Sequence, residues 1–229
     1  MKRHIKTFSA VAWFALSLLG LSCSTTPEAP PSNDLRGMVY NLDRMPVSDM
    51  TVSWIQKGIN VGSATTDLHG RFLIPHVPFG PITLSFSKQD YEPLVWTFHF
   101  TQASQVLYTK IANKDELYNL VSDALISRDW SRTDMLLKRI QNLNQNDEIG
   151  IYLHAQELVL QGNWQEGVTL FQSLEKGRPL SFPIEMTLAD LYQYRLKQPE
   201  KAIQHLKLAL KVRGDADAQQ RLLSLSKKP

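Results

Sequence analysis

The chain has 229 residues, with 25 basic and 22 acidic side chains and a formal net charge of +3. Three of the basic residues, Lys2, Arg3 and Lys6, stand in the first six positions; without them the two counts are equal, which excludes the persistent basic surface that a nucleic-acid binder needs. The single cysteine, Cys23, excludes an internal disulfide.

In chain order, Lys2, Arg3 and Lys6 precede an apolar run from Phe8 to Leu21. That is the length of a signal-peptide core and short of a membrane span, which needs roughly 20 residues. The run ends at Gly20-Leu21-Ser22-Cys23, after which the chain turns polar. These residues resemble the lipobox of bacterial lipoproteins, with small Ser22 before the cut; the departure is Gly20, three places before the cysteine, where leucine is usual. The resemblance implies a signal peptide over 1–22 and a lipid on the Cys23 thiol, which becomes the first mature residue. It also implies a membrane-anchored place in the bacterial cell envelope, and Ser24 favours the outer membrane facing the periplasm. An ordinary secretory signal with a free cysteine is the other reading. Acyl chains contribute about 0.8 kcal/mol per buried methylene, enough for several chains to hold a protein on a bilayer. Residues 23–34, rich in Pro, Ser and Thr, read as an extended tether.

Residues 35–111 alternate with the period of strands. Ile82, Leu84 and Phe86 alternate with Thr83, Ser85 and Ser87, and Leu94, Trp96, Phe98 and Phe100 with Val95, Thr97, His99 and Thr101. Turn residues at Asp43–Pro46, Lys57-Gly58, Asp67–Gly70, Pro78–Pro81 and Lys88–Tyr91 separate the runs. Such short, evenly spaced strands predict an antiparallel β-sandwich. Gly37-Met38-Val39-Tyr40, Pro46–Val52, Thr65–Phe72, Val77–Gly80 and Asp90-Tyr91-Glu92 follow one another in an order that resembles the carboxypeptidase regulatory-like domain, a transthyretin-like sandwich. The resemblance implies an accessory fold of the carbohydrate-binding-like class, with Asp67 and Gly70 shaping a tight hairpin.

Residues 113–226 switch to apolar spacings of three and four, as in Leu117, Leu120, Val121, Ala124 and Leu125. Asp129-Trp130 recurs as Asn163-Trp164, 34 positions later, and again in the run Gln198–Ala202 with one extra residue. This period resembles tetratricopeptide (TPR) repeats, each a pair of antiparallel helices. Small residues at Ala155, Gly167, Ala189, Ala202 and Ala209 suit close helix approach. Asn113 with Glu116, Ser131 with Asp134, Asn163 with Glu166, and Pro199 are the expected helix starts, and Asp215–Leu225 is the expected closing helix. The fold class is thus two-domain, an N-terminal sandwich followed by a C-terminal stack of TPR-like hairpins. A generic helical bundle is the alternative for the second part.

No catalytic, cofactor or metal site is expected. The histidines at 4, 69, 76, 99, 154 and 205 lack ligand spacing, and no His-Glu-x-x-His, phosphate loop or Gly-x-Ser-x-Gly occurs. The catalytic domain of a carboxypeptidase is missing. The expectation is a non-enzymatic, lipid-anchored envelope scaffold that binds a protein or peptide. The TPR resemblance assigns the partner-binding groove to Tyr118 and Ser122, Tyr152 and Gln156, and Asp190, Gln193 and Tyr194. Glycan binding by the sandwich is the second reading; among the aromatics, Trp54 and Trp96 lie on the apolar side of their strands and Tyr91 in a turn is the better exposed candidate.

Overall fold

A computed structural model describes residues 32–176 and 179–227. The expected signal peptide, Cys23 and the tether up to residue 31 lie outside these residues.

The first half is all strand: β1 (Ser32–Tyr40), β2 (Thr51–Gln56), β3 (Ile59–Thr65), β4 (Arg71–Pro78), β5 (Gly80–Ser87), β6 (Leu94–Phe100) and β7 (Val106–Lys110). They form a three-stranded sheet in the order β4-β1-β7 and a four-stranded sheet in the order β3-β2-β5-β6. Alternation puts Leu35, Val39, Phe72, Ile74 and Leu107 of the first sheet against Val52, Ile82, Leu84, Phe86 and Phe100 of the second in one buried core. Phe72 and Phe86 meet edge to face across it, with ring centroids 6.1 Å apart. Gly37 is required because the Phe72 ring lies where a Cβ at this position would project.

Three details depart from the sequence expectation. Ser32, Asn33 and Asp34 belong to β1 and not to the tether, because the backbones of Ser32 and Asn33 pair with Pro78 and Val77 whatever their polar side chains. The β1–β7 pair is parallel, since the chain crosses from the four-stranded sheet after β6 and returns beside β1 in the same direction; every other strand pair is antiparallel. The Asp67–Gly70 turn is a corner between sheets and not a hairpin within one, because β3 stays on β2 while β4 joins β1. Its chemistry is as expected: the Asp67 carboxylate accepts from the backbone N–H groups of His69 (2.8 Å) and Arg71 (2.9 Å), and Gly70 has φ +73°. The backbone bond from Arg71 leads the effects that hold the Asp67 carboxyl below its ordinary range. The Lys57-Gly58 hairpin forms as expected, with φ of 50° and 79°.

The second half is helical: α1 (Lys114–Ser127), α2 (Trp130–Leu143), α3 (Glu148–Gln161), α4 (Trp164–Glu175), α5 (Phe182–Asp190), α6 (Pro199–Val212) and α7 (Ala216–Ser226). α5 runs on into a π-helical turn over Leu191–Arg195. α1 packs on α2, α3 on α4, α5 on α6, and α7 on α6. Ala155, Ala189, Ala202 and Ala209 are fully buried between them, and Gly167 lets α4 lie against Val159 and the Ala155 carbonyl. Asn113 and Glu116 form the expected capping box. The α2 cap is Asp129 rather than Ser131, its side chain accepting from the Arg132 N–H, because the helix starts two residues earlier, at Trp130. Asn163 caps α4 without a side-chain hydrogen bond.

Sheet and helices join through specific polar contacts. The buried Glu116 carboxylate accepts from the backbone N–H of Asp43 (3.1 Å) and of Asn113 (2.9 Å). Lys114 bridges Asp90 (3.2 Å) and Asp147 (3.3 Å), and Arg139 of α2 grips Glu92. The Lys114 and Arg139 contacts hold the first helix pair against the β5–β6 connection, and the Glu116 contact holds α1 against the β1–β2 connection.

Candidate functional site

Successive residues four apart on a helix share a face, so Tyr118, Ser122 and Ile126 form one row on α1 and Tyr152, Gln156 and Leu160 another on α3. Between these rows and α5 lies a cleft of about 520 Å³ lined by Ser122, Leu125, Ile126, Arg128, Gln156, Val159, Leu160, Phe171 and Thr187. Leu125, Ile126, Val159, Leu160 and Phe171 make most of its wall apolar. Ile126 is 83% exposed and Leu160 49%, so two large aliphatic side chains meet solvent at the mouth of the cleft. Arg128, in the left-handed C-cap position of α1, supplies the one charge among the lining residues.

Ser122 and Gln156 are the two expected groove residues that the structure brings together here. Tyr118 sits deeper in the fold, 9% exposed, with its hydroxyl donating to both Asp147 carboxylate oxygens at 2.7 and 2.8 Å. Burial and that bond hold its phenol protonated far above the ordinary range. Burial pushes the Asp147 carboxyl up, but hydrogen bonds from Tyr118, the Gly150 N–H and Lys114 outweigh it and leave the group below its ordinary range. This pair braces α1 against the start of α3. Tyr152 turns to a second cleft of about 420 Å³ with Ile149, Leu174, Glu175, Ser181 and Ile184, its ring edge-on to Phe171. Asp190, Gln193 and Tyr194 form a third group at the far end, where Arg221 of α7 engages all three.

Ile126 and Leu160, the exposed apolar side chains of the first cleft, escaped the sequence reading. The usable signal was the same four-residue spacing: each lies one turn beyond Ser122 and Gln156. The π turn at Leu191–Arg195 carried no such signal.

Two further carboxyls are buried within the helical half. Glu157 is 1% exposed and receives a hydrogen bond from the Gln161 amide at 3.2 Å. Burial, with Asp134 nearby, pushes its pKa up to about 7. Glu185, also 1% exposed, lies 2.6 Å from His205 Nδ1. Burial pushes the Glu185 carboxyl up and the His205 imidazole down. His205 is therefore a packing residue between α5 and α6, stacked on the Tyr192 ring at 5.3 Å. Among the described residues no group of His, Cys, Asp and Glu side chains is arranged to hold a metal ion, and no helix is long and apolar enough to cross a membrane.

In the sandwich, Trp54 and Trp96 pack against the core, as their strand faces implied. Tyr91 differs from the expectation: it is half-buried, with its backbone bridged to Asn113 and Lys88 Nζ 5.2 Å from its ring centroid, because the turn that carries it closes on the start of α1.

No family model and no curated protein matches the chain. Among solved structures the chain is similar to a type II cohesin–X-dockerin complex from Acetivibrio cellulolyticus in an N-terminal interface mutant, at 19% identity over 34% of this chain and 51% of that chain, with a TM-score of 0.24. A C-terminal interface mutant of that complex matches at 19% identity over 36% of this chain and 53% of that chain, with a TM-score of 0.21. The match thus spans about half the length of those chains, and TM-scores this low carry no argument about this one.

Proposed function

We propose that the protein is a non-enzymatic scaffold of the bacterial envelope, anchored by lipid on Cys23, whose TPR-like helix pairs hold an apolar segment of a partner protein or peptide. The observation that carries this reading is the cleft between α1, α3 and α5, where Ile126 and Leu160 stay exposed beside half-buried Val159 and buried Leu125. Covering one such side chain contributes about 1.5–3 kcal/mol, and the Gln156 amide, which gives one N–H to the Tyr152 hydroxyl, keeps its oxygen and a second N–H for a bound backbone. Arg128 favours an acidic group at one end of the segment.

The test is photo-cross-linking from position 126 or 160 in intact cells. The expected result is one dominant protein adduct, lost in Leu160→Glu. Adducts that ignore that substitution count against the cleft. Labelled fatty acid incorporated into the wild type and not into Cys23→Ala checks the anchor separately.

A second reading, glycan binding by the sandwich, no longer rests on aromatic rings. What favours it is an uncharged row on the outer face of the four-stranded sheet, where Ser63 pairs across Ser53 to Ser85 and the hydroxyls of Thr83 and Thr97 meet at 2.9 Å. Retention on insoluble envelope glycan that is lost in Ser53→Lys is its check.

A further inference from the structure

The last helix packs on α6 through Ala218, Leu222 and Leu225. Ala218 is the one fully buried residue of α7; Leu222 and Leu225 are half-buried and Leu223 is 56% exposed. The connection from α6 is Arg213-Gly214-Asp215, and a side chain at Gly214 would meet open space. Beside this apolar packing stands one concentrated polar contact. Arg221 Nη2 donates to Asp190 Oδ1 at 2.7 Å and to Gln193 Oε1 at 2.9 Å, and its guanidinium lies 5.5 Å from the Tyr194 ring centroid. A carboxylate, an amide oxygen and an aromatic ring around one planar cation are the three partners a guanidinium takes best.

The seat is not perfectly matched to its occupant. Arg221 Nε is buried and has no hydrogen-bond partner, a donor desolvated without return. Asp190 and Tyr194 stay 54% and 52% exposed on their outer sides, and Asp217 approaches the guanidinium only at 3.8 Å. The acceptors stand on the junction of α5 and its π turn, a distortion that holds Leu196 N–H to the Leu191 carbonyl.

We propose that Asp190, Gln193 and Tyr194 form an arginine-binding subsite at the end of the helical face, and that the chain's own Arg221 occupies it in place of an arginine on the partner segment. The proposal rests on the partner-binding reading above and adds its regulation. α7 is a tethered competitor: partner arginine and Arg221 exclude one another, and α7 swings out on Gly214 when the partner binds. Tethering gives Arg221 a high effective concentration, so a free ligand meets the subsite weakened until α7 lets go.

The experiment uses the full chain and a fluorescent peptide with the sequence of residues 215–227 as the arginine-bearing probe, read by anisotropy. Arg221→Ala should bind the probe roughly tenfold more tightly than the wild type, the change expected when one charge-assisted contact of the competitor is lost. Asp190→Ala added to that background, or alanine in place of the probe's arginine, should abolish the gain. Equal binding by wild type and Arg221→Ala, or a gain that survives the arginine-free probe, overturns the proposal. Should Arg221→Ala lose helix content by circular dichroism, Leu222→Ala decides: it loosens α7 without touching the subsite and should likewise tighten probe binding, and an unchanged affinity overturns the proposal. The anisotropy change depends on Arg221 and Asp190 and not on Ile126 or Leu160, whereas the cross-link from position 126 or 160 reads the cleft, so a failure of the cleft reading and a failure of this one are told apart.

Discussion

Arg139 on α2 and Glu92 in the β5–β6 connection form a two-point ion pair across the junction of sheet and helices, Nε to Oε1 at 2.7 Å and Nη2 to Oε2 at 2.5 Å. The hydrogen bonds that Arg139 donates to Glu92 lead the effects that raise the Arg139 pKa. Both groups are partly screened, so the fork geometry and not mere proximity gives the pair its worth. Glu92→Gln and Arg139→Gln should each lower unfolding stability by about 1 kcal/mol. A double-mutant cycle in denaturant should return a coupling of similar size. Cleavage by a limiting protease between residues 111 and 114 should quicken in both single mutants, because this contact and the Lys114 bridge hold that segment closed.

The Phe72 ring occupies the space above Gly37, so Gly37→Ala forces a methyl group into a close-packed core. Overpacking of this kind costs about 1–3 kcal/mol. Phe72→Leu should recover part of the loss when combined with Gly37→Ala, while destabilising the chain on its own. Additive losses in thermal unfolding would show that the glycine is needed for some other reason.

How far the sequence carried depends on what each signal encodes. Period-two alternation placed the strands, and the small residues at 155, 167, 189, 202 and 209 are buried where helices meet, because burial leaves a periodic trace. The parallel β1–β7 pair was not legible: alternation says which face a side chain takes, not which strand lies alongside. Within the groove set, Ser122 and Gln156 reach the cleft while Tyr118 is drawn to Asp147, 29 positions away, a pairing that helix spacing cannot show. Arg221 sealing Asp190 and Gln193 is the same kind of omission, a contact between elements whose partner comes from a different helix.

Replacing Ile126 by glutamate should leave stability within about 0.5 kcal/mol of the wild type, since that side chain is 83% exposed, and Leu160→Glu, at 49%, should cost about 1 kcal/mol. Each should nonetheless lower capture of the cross-linked partner at least tenfold. Val159→Ala, by contrast, removes part of the cleft wall that also packs between helices, and should lower both stability and capture. The split between the two kinds of variant, read by denaturant unfolding and cross-link yield, separates a binding cleft from a packing defect.

Glu157 gives the helical half a pH dependence whose direction follows from burial. Its carboxyl is pushed from an ordinary 4.5 to about 7, with burial first and Asp134 second among the causes. A carboxyl raised in the folded state releases its proton less readily than in the unfolded chain. Its contribution to stability is therefore fully present below pH 4.5 and lost as pH rises through 7. Glu157→Gln keeps the Gln161 contact without the charge, because its amide oxygen can accept the same hydrogen bond. At pH 8 this variant should be more stable than the wild type by on the order of 2–3 kcal/mol, and near pH 4.5 the two should converge. Urea unfolding across pH 5 to 8 reads the difference directly, and parallel curves for wild type and variant would mean that the carboxyl is solvated or paired in the folded chain.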